Sequence, residues 1–483
     1  FVRIDGEDDE IYISKDNSLN ALNGDRVLIE ITEEKNKVKK AEGKVVRILK
    51  HEKDTVVGIF QNNKNFGFVV PDDKNFGTDI FISKKDFGKA RNNHKVLVKI
   101  TKYPEKGKNA EGKIIEVLGN VNEAGVDMLS IIKEHNLPYK FPEPVVEEAK
   151  KFGTEINPEE AKKRVDKRDE NIFTIDGEDA KDLDDAVRVA KLSNGNYLLE
   201  VHIADVSHYV LENSLLDREA LLRGTSIYML GRVIPMLPRE LSNGLCSLNE
   251  GEDRLTLSCE MEIDSKGNVV SFNVYKGVIN VKRRMSYTNV QKILDGSDKN
   301  VLVQYKDYIE DFKLMEELAK ILKQRRMKEG YLDLNIPESK IELDIDGKVT
   351  NVSKYETTFA NEIIEQFMLT ANETIAEKFY WLDTPFIYRV HEEPDIDKVK
   401  ELNKFLFNLG LKIKTKDEHV YSKEFAKILE EIKGTNEEKV ISTLLLRTLK
   451  VARYEAENRG HFGIASKYYC HFTSPIRRYP DLF

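Results

Sequence analysis

The aspartates Asp176, Asp182, Asp184 and Asp185 fall within ten residues of one another in the run Phe173-Thr174-Ile175-Asp176-Gly177-Glu178-Asp179-Ala180-Lys181-Asp182-Leu183-Asp184-Asp185-Ala186-Val187. The pattern predicts a strand that delivers Asp176, a Gly-containing loop that delivers the other three, and a second strand over 186–190 leading away. Carboxylates gathered this closely repel: two like charges about 4 Å apart cost about 1 kcal/mol in water and more in a partly dry site. Such a cluster persists when cations neutralise it, and hard oxygen ligands on a loop favour Mg²⁺ or Mn²⁺. Other readings stay open from these residues alone. A solvated acidic turn needs no metal. A Ca²⁺ loop of the EF-hand kind would require a glycine and ligand spacing that this run lacks. A carboxylate pair for glycoside hydrolysis wants two acids rather than four.

Two further segments carry groups suited to phosphate chemistry. One is Arg223-Gly224-Thr225-Ser226-Ile227-Tyr228, leading into the Pro-containing stretch 234–242. Tyr228 follows small residues on an irregular segment with little core to fill. The other is His471-Phe472-Thr473-Ser474-Pro475-Ile476-Arg477-Arg478-Tyr479, with Gly460-His461-Phe462-Gly463-Ile464-Ala465 shortly before it. Guanidinium forks match phosphate geometry, although two arginines by themselves equally suit a solvated surface.

The elements that must position these residues form one large mixed α/β domain, expected over 171–483. Strand-like runs occur at 171–176, 197–206, 255–263 and 269–281, and helical patterns near 301–328, 360–380, 396–409 and 436–458. Residues 120–170 read as a charged helical connector punctuated by Pro138, Pro142, Pro144 and Pro158. Upstream lies an internal repeat. Ala41–Leu49 matches Ala110–Leu118, and Ile11–Ser14 matches Ile80–Ser83, both at a spacing of 69 residues; Phe1-Val2 stands opposite Phe68-Val69. Two small β-rich domains are therefore expected at 1–50 and 51–119. The first lacks the counterpart of 51–67, so its start is expected to be incomplete. In the second, Phe66, Phe68 and Phe81 could share one face of adjacent strands, either as a stacking platform or as barrel filling.

Bulk properties narrow the class. The 483 residues are 40% hydrophobic and 33% charged, a globular balance spread over several domains. No apolar run is long enough for a membrane span, and no signal peptide is read before Phe1. Cys246, Cys259 and Cys470 are far apart with no CxxC pair, which argues against a disulfide framework or zinc site and fits a reducing cytoplasm. The formal net charge of -8 runs against a basic nucleic-acid footprint, but an acidic metal site contributes to it.

At these motifs the chain resembles the RNase II/RNase R family of 3′-to-5′ exoribonucleases, in one order from residue 1 to 483. The Thr174–Asp185 run and the His471–Tyr479 run are the most specific points; Ile203–Val206, Ile234–Ser242, Arg389–Glu392 and Gly460–Ala465 agree. Paired cold-shock-like domains favour the RNase R branch. The resemblance implies two small β-barrels of OB/cold-shock type, with Phe66, Phe68 and Phe81 as an RNA-stacking stripe, followed by the α/β catalytic domain. It implies that Asp176 and Asp185 hold Mg²⁺ with Asp182 beside them, and that Asp184 is the aspartate essential for turnover. It places Tyr228 and Tyr287 against bases near the 3′ end, Glu365 against the terminal nucleotide, and Arg477, with Arg478 as its neighbour, at the scissile phosphate. The expected activity is processive two-metal-ion hydrolysis of single-stranded RNA with a free 3′ end to nucleoside 5′-monophosphates, by a cytoplasmic monomer. The family's catalytic domain continues further and adds an S1-type barrel, so an incomplete C-terminus is expected. The rivals are a chaperone-like RNA-binding protein with an inactive nuclease domain and a metal-dependent hydrolase of another substrate class.

Overall fold

A computed structural model describes residues 1–4, 10–34, 40–105, 108–334 and 338–483. The chain divides into two compact units, one comprising mainly residues 1–139 and the other most of 140–483.

The repeat is visible in the pairing. In the first domain Val2 pairs with Ile11 and Tyr12 with Glu42. In the second Val69 pairs with Ile80 and Phe81 with Glu111. The second domain closes a five-stranded barrel from Thr55–Asn63, Phe66–Pro71, Ile80–Ser83, His94–Lys102 and Glu111–Asn120. The described part of the first is a four-stranded sheet. Phe60, Val69, Ile80, Ile82, Val96 and Val98 fill the barrel and are fully buried. Gly67 is needed there, because a Cβ would lie 2.4 Å from the Phe60 ring.

The larger unit is built on a seven-stranded mixed sheet. Its order is Val165–Asp166, Val269–Asn280, Asp253–Ile263, Tyr197–Ala204, Asp185–Lys191, Phe173–Asp176, Arg283–Ser286. Period-two alternation loads one face with Phe173, Ile175, Val187, Val189, Leu199, Val201, Cys259 and Met261, all in one buried cluster with the helices Ile309–Glu329 and Phe359–Trp381. The opposite face contributes Ala186, Ala204 and Ile279 to a second cluster with Leu183, Met236, Leu241, Leu255 and Ile476. The fold class expected from the sequence is the one observed.

Two helical patterns differ: the one near 301–328 divides into Lys299–Gln304 and Ile309–Glu329 around a 3-10 turn at Lys306–Tyr308. The helical pattern near 436–458 stops at Thr448, and Arg453–Glu455 is a strand paired with Tyr388–Val390. The Arg389 guanidinium lies 4.6 Å from the centre of the Tyr454 ring, and Arg453 meets Glu392 at 2.9 Å. These distant partners override the local helical pattern.

Candidate active site

The carboxylates are delivered by two neighbouring strands and the loop between them. Strand Phe173–Asp176 runs parallel to Arg283–Ser286 with Asp176 opposite Ser286, and Ser286 caps the helix Tyr287–Asp295 by accepting from the Asn289 amide at 3.2 Å. Tyr287, the first residue of that helix, thereby stands beside Asp176. The loop 177–184 is pinned by Leu183, which is fully buried. Its amide donates to Ser247 Oγ at 3.1 Å and its carbonyl accepts from the Leu248 amide at 3.0 Å. With Leu183 turned inward, Asp182 and Asp184 are held on either side of it.

Asp184 is 4% exposed. Its Oδ1 accepts from the Ile476 amide at 2.8 Å, and its Oδ2 faces Arg477 Nε at 3.5 Å. The loop carrying Arg477 is held in turn by the segment preceding Tyr228: the Arg477 carbonyl accepts from the Ser226 amide at 2.9 Å and from Thr225 Oγ1 at 3.0 Å. Tyr228, on the short strand Ile227–Met229 and 53% exposed, donates its hydroxyl to Asp182 Oδ2.

A cavity of about 530 Å³ gathers Asp176, Asp182, Asp184, Asp185, Tyr228, Tyr287, Glu365, Arg477 and Arg478 in its walls. Glu365 comes from the long helix Phe359–Trp381, which starts in a capping box of Thr358 and Asn361, and Tyr331 donates to its Oε1 at 2.6 Å. Arg478 lines the cavity, but its guanidinium is committed to Asp481 at 2.6 Å. Phe66, Phe68 and Phe81 belong to the barrel. Their rings lie 5.6–6.0 Å apart, half-buried on its outer surface rather than among the filling residues.

Sequence reasoning missed Asn372 and Tyr469, which share the cavity with Thr473 and Ser474 of the 471–479 run. Asn372 is 2% exposed; its Oδ1 accepts from the Phe472 amide at 2.9 Å, and its amide group donates to the Tyr469 hydroxyl at 3.3 Å. It stands seven positions after Glu365, on the same helical face, which is the signal that could have found it. In the first domain Phe1 and Tyr12, the counterparts of Phe68 and Phe81, are exposed with rings 5.4 Å apart.

The electrostatics call for a cation. Burial pushes the carboxyls of Asp176, Asp184 and Asp185 above their usual range, and neighbouring aspartates add to the rise. Asp176 Oδ2 is buried with no hydrogen-bond partner. A bound divalent cation would satisfy that oxygen and reverse those shifts, so the residues fit one. Among the described residues no three Asp, Glu, His or Cys side chains already form a closed ligand set. Asp182 lines the same cavity, with its Oδ2 accepting from the Tyr228 hydroxyl.

A family model for the RNB domain matches residues 164–483, with a Ribonuclease B OB domain over 1–48 and a cold shock domain over 68–142. The chain belongs to the RNB family. Its relatives are ribonucleases R. That of Thermotoga maritima is 45% identical over 98% of this chain and 66% of its own length. Ribonuclease R 1 of Lactococcus lactis is 41% identical over 100% of this chain and 60% of its own. The chain thus spans about 60–66% of the length of these two RNB proteins. Mycoplasma genitalium RNase R in complex with ribose-methylated single-stranded RNA superposes with a TM-score of 0.89 at 30% identity, covering 98% of this chain and 74% of that one. No helix among the described residues is long and apolar enough to cross a membrane.

Proposed function

We propose that this chain is a processive 3′-to-5′ exoribonuclease that hydrolyses single-stranded RNA to nucleoside 5′-monophosphates. The observation that carries this reading is the convergence, in one cavity, of four aspartates, a phosphate-matching arginine and an acid suited to a terminal ribose. The cavity volume of about 530 Å³ lies in the range of about 300–1,000 Å³ typical of small-ligand sites, which suits one terminal nucleotide.

Asp176, Asp182, Asp184 and Asp185 would hold Mg²⁺ or Mn²⁺, which supplies an activated water and charge neutralisation on attacking and leaving oxygens. The protein groups do the positioning. The Ile476 amide fixes one oxygen of Asp184, so the carboxylate meets the site in a single orientation. Arg477, 3.5 Å from the other oxygen, offers a guanidinium to the phosphoryl oxygens as they gain charge. Tyr228 and Tyr287 offer ring faces to bases near the 3′ end, and Glu365 accepts from ribose hydroxyls. Phe66, Phe68 and Phe81 offer a sequence-tolerant stacking platform on the barrel. The three cysteines are free and buried, in keeping with a cytoplasmic enzyme, which we take to act as a monomer. The rival of an inactive RNA-binding protein is opposed by the presence of all four aspartates in the cavity.

The test is a 5′-labelled single-stranded RNA incubated with the chain in Mg²⁺, with and without EDTA. Conversion of the full-length band to a short 5′-labelled end product with few intermediates, abolished by EDTA, is expected. Endonucleolytic fragments, EDTA-resistant cleavage or binding without cleavage would overturn the proposal.

A further inference from the structure

Asp481 lies outside the carboxylate cluster, yet its side chain is fully buried at the foot of the loop that carries Arg477. Its Oδ1 accepts from the Ser474 amide at 2.8 Å and from Arg478 Nε and Nη2 at 3.0 and 2.6 Å. Ser474 is 3% exposed. Its carbonyl accepts from the Arg477 and Arg478 amides at 3.3 and 3.0 Å, closing the turn, and its Oγ accepts from Arg477 Nη2 at 2.8 Å. One chain of contacts therefore runs from Asp481 through Ser474 to the guanidinium of Arg477, whose Nε faces Asp184. The adjacent arginines consequently differ. Arg478 neutralises the buried Asp481, whereas Arg477 keeps its guanidinium at the cavity.

We propose that Asp481 and Ser474 are positioning residues for Arg477: Asp481 sets the turn, Ser474 sets the guanidinium, and Arg478 is the counter-ion of Asp481 rather than a phosphate ligand. The inference rests on the reading of the cavity as an RNA-hydrolysing site. Its geometric core, the restraint of Arg477, can be read without turnover.

The experiment is a mutant cycle on the full chain with two readouts. In single-turnover cleavage at saturating RNA, Asp481→Ala should lower the rate on the order of 10²-fold, the scale expected when a catalytic group is misplaced by about 1 Å, with little change in RNA affinity. Asp481→Asn, which keeps an acceptor for the Ser474 amide, should restore most of the rate. Ser474→Ala, which leaves the Asp481–Arg478 pair intact, decides the matter if Asp481→Ala fails to fold; it should lower the rate in the same direction. In an Arg477→Ala background, each of these changes should cost less than about twofold more, because both act through that side chain. The second readout is the Nε–H resonance of Arg477 in ¹⁵N-arginine-labelled protein, assigned by its loss in Arg477→Ala. It should move in Asp481→Ala and Ser474→Ala and stay in place in Asp481→Asn. Additive losses in the cycle, or an unmoved resonance in both Ala variants, overturn the inference. An intact chain that fails to shorten RNA overturns the functional reading, while the resonance still decides whether Asp481 and Ser474 hold Arg477.

Discussion

Replacing Asp184 by Asn separates charge from shape at the most buried member of the cluster. The substitution keeps an oxygen for the Ile476 amide, 2.8 Å away in the native protein, so the contact between the strand edge and the arginine loop survives. What disappears is the negative charge facing Arg477 Nε at 3.5 Å. At an effective dielectric of about 20, two unit charges at that distance attract by about 5 kcal/mol gross. The Arg477 side chain is 41% exposed, so solvent screening reduces this to roughly 1 kcal/mol net. The larger loss is of a carboxylate that would help hold the cation neutralising charge at the reacting phosphate. Removing one such stabiliser costs about 2.7–4 kcal/mol, or about 10²–10³ in kcat. Removing the charge also removes the cost of burying it, the largest influence on this carboxyl, which offsets the lost attraction, so without metal the mutant should be at least as thermostable as the native chain. The assay pairs single-turnover cleavage of labelled RNA with thermal unfolding in EDTA and in Mg²⁺. Turnover should collapse, RNA affinity should hold, the EDTA melting temperature should not fall, and the stabilisation by Mg²⁺ should shrink. Near-native turnover would refute the role of Asp184. Lost turnover with a lowered EDTA melting temperature would refute the reasoning about its burial.

Tyr228→Ala removes a base stack worth roughly 1–3 kcal/mol and should lengthen the final RNA product, whereas Tyr228→Phe, which loses only the hydroxyl given to Asp182, should leave product length unchanged; denaturing gels compare the two. A 3′-phosphate should block degradation, because it sets a second negative charge against Glu365, and equal decay of blocked and free ends would exclude that placement. The raised carboxyls of Asp176, Asp184 and Asp185 bind more protons in the folded than in the unfolded chain. In EDTA, stability should therefore fall as pH rises from the ordinary aspartate range through neutrality, and Mg²⁺ should flatten that slope in thermal melts. Phe68→Ala should weaken binding of single-stranded RNA by about 1–3 kcal/mol without changing the melting of the α/β unit, as measured by titration and calorimetry.

The sequence by itself determined the order of the domains, the strands that alternate in period two, and the strand–loop–strand run that carries four aspartates. These are local properties: alternation records which face is buried, and the repeat at 69 residues records equivalent pairing, as Val2–Ile11 and Val69–Ile80 attest. Helical spacing puts Glu365 and Asn372 on one face, although it was the family resemblance that pointed to Glu365, and nothing pointed to Asn372. Which distant groups meet was decided by tertiary structure. The Ile476 amide reaches Asp184 across 292 positions, Tyr228 reaches Asp182, and Arg453–Glu455 pairs as a strand where the local pattern read as helix. Arg477 and Arg478 are identical residues side by side, yet one faces the cavity and the other is consumed by a buried carboxylate. Irregular loops have no periodicity to reveal such choices. They follow from where the packed sheet and helices leave a donor, an acceptor or a charge without a partner.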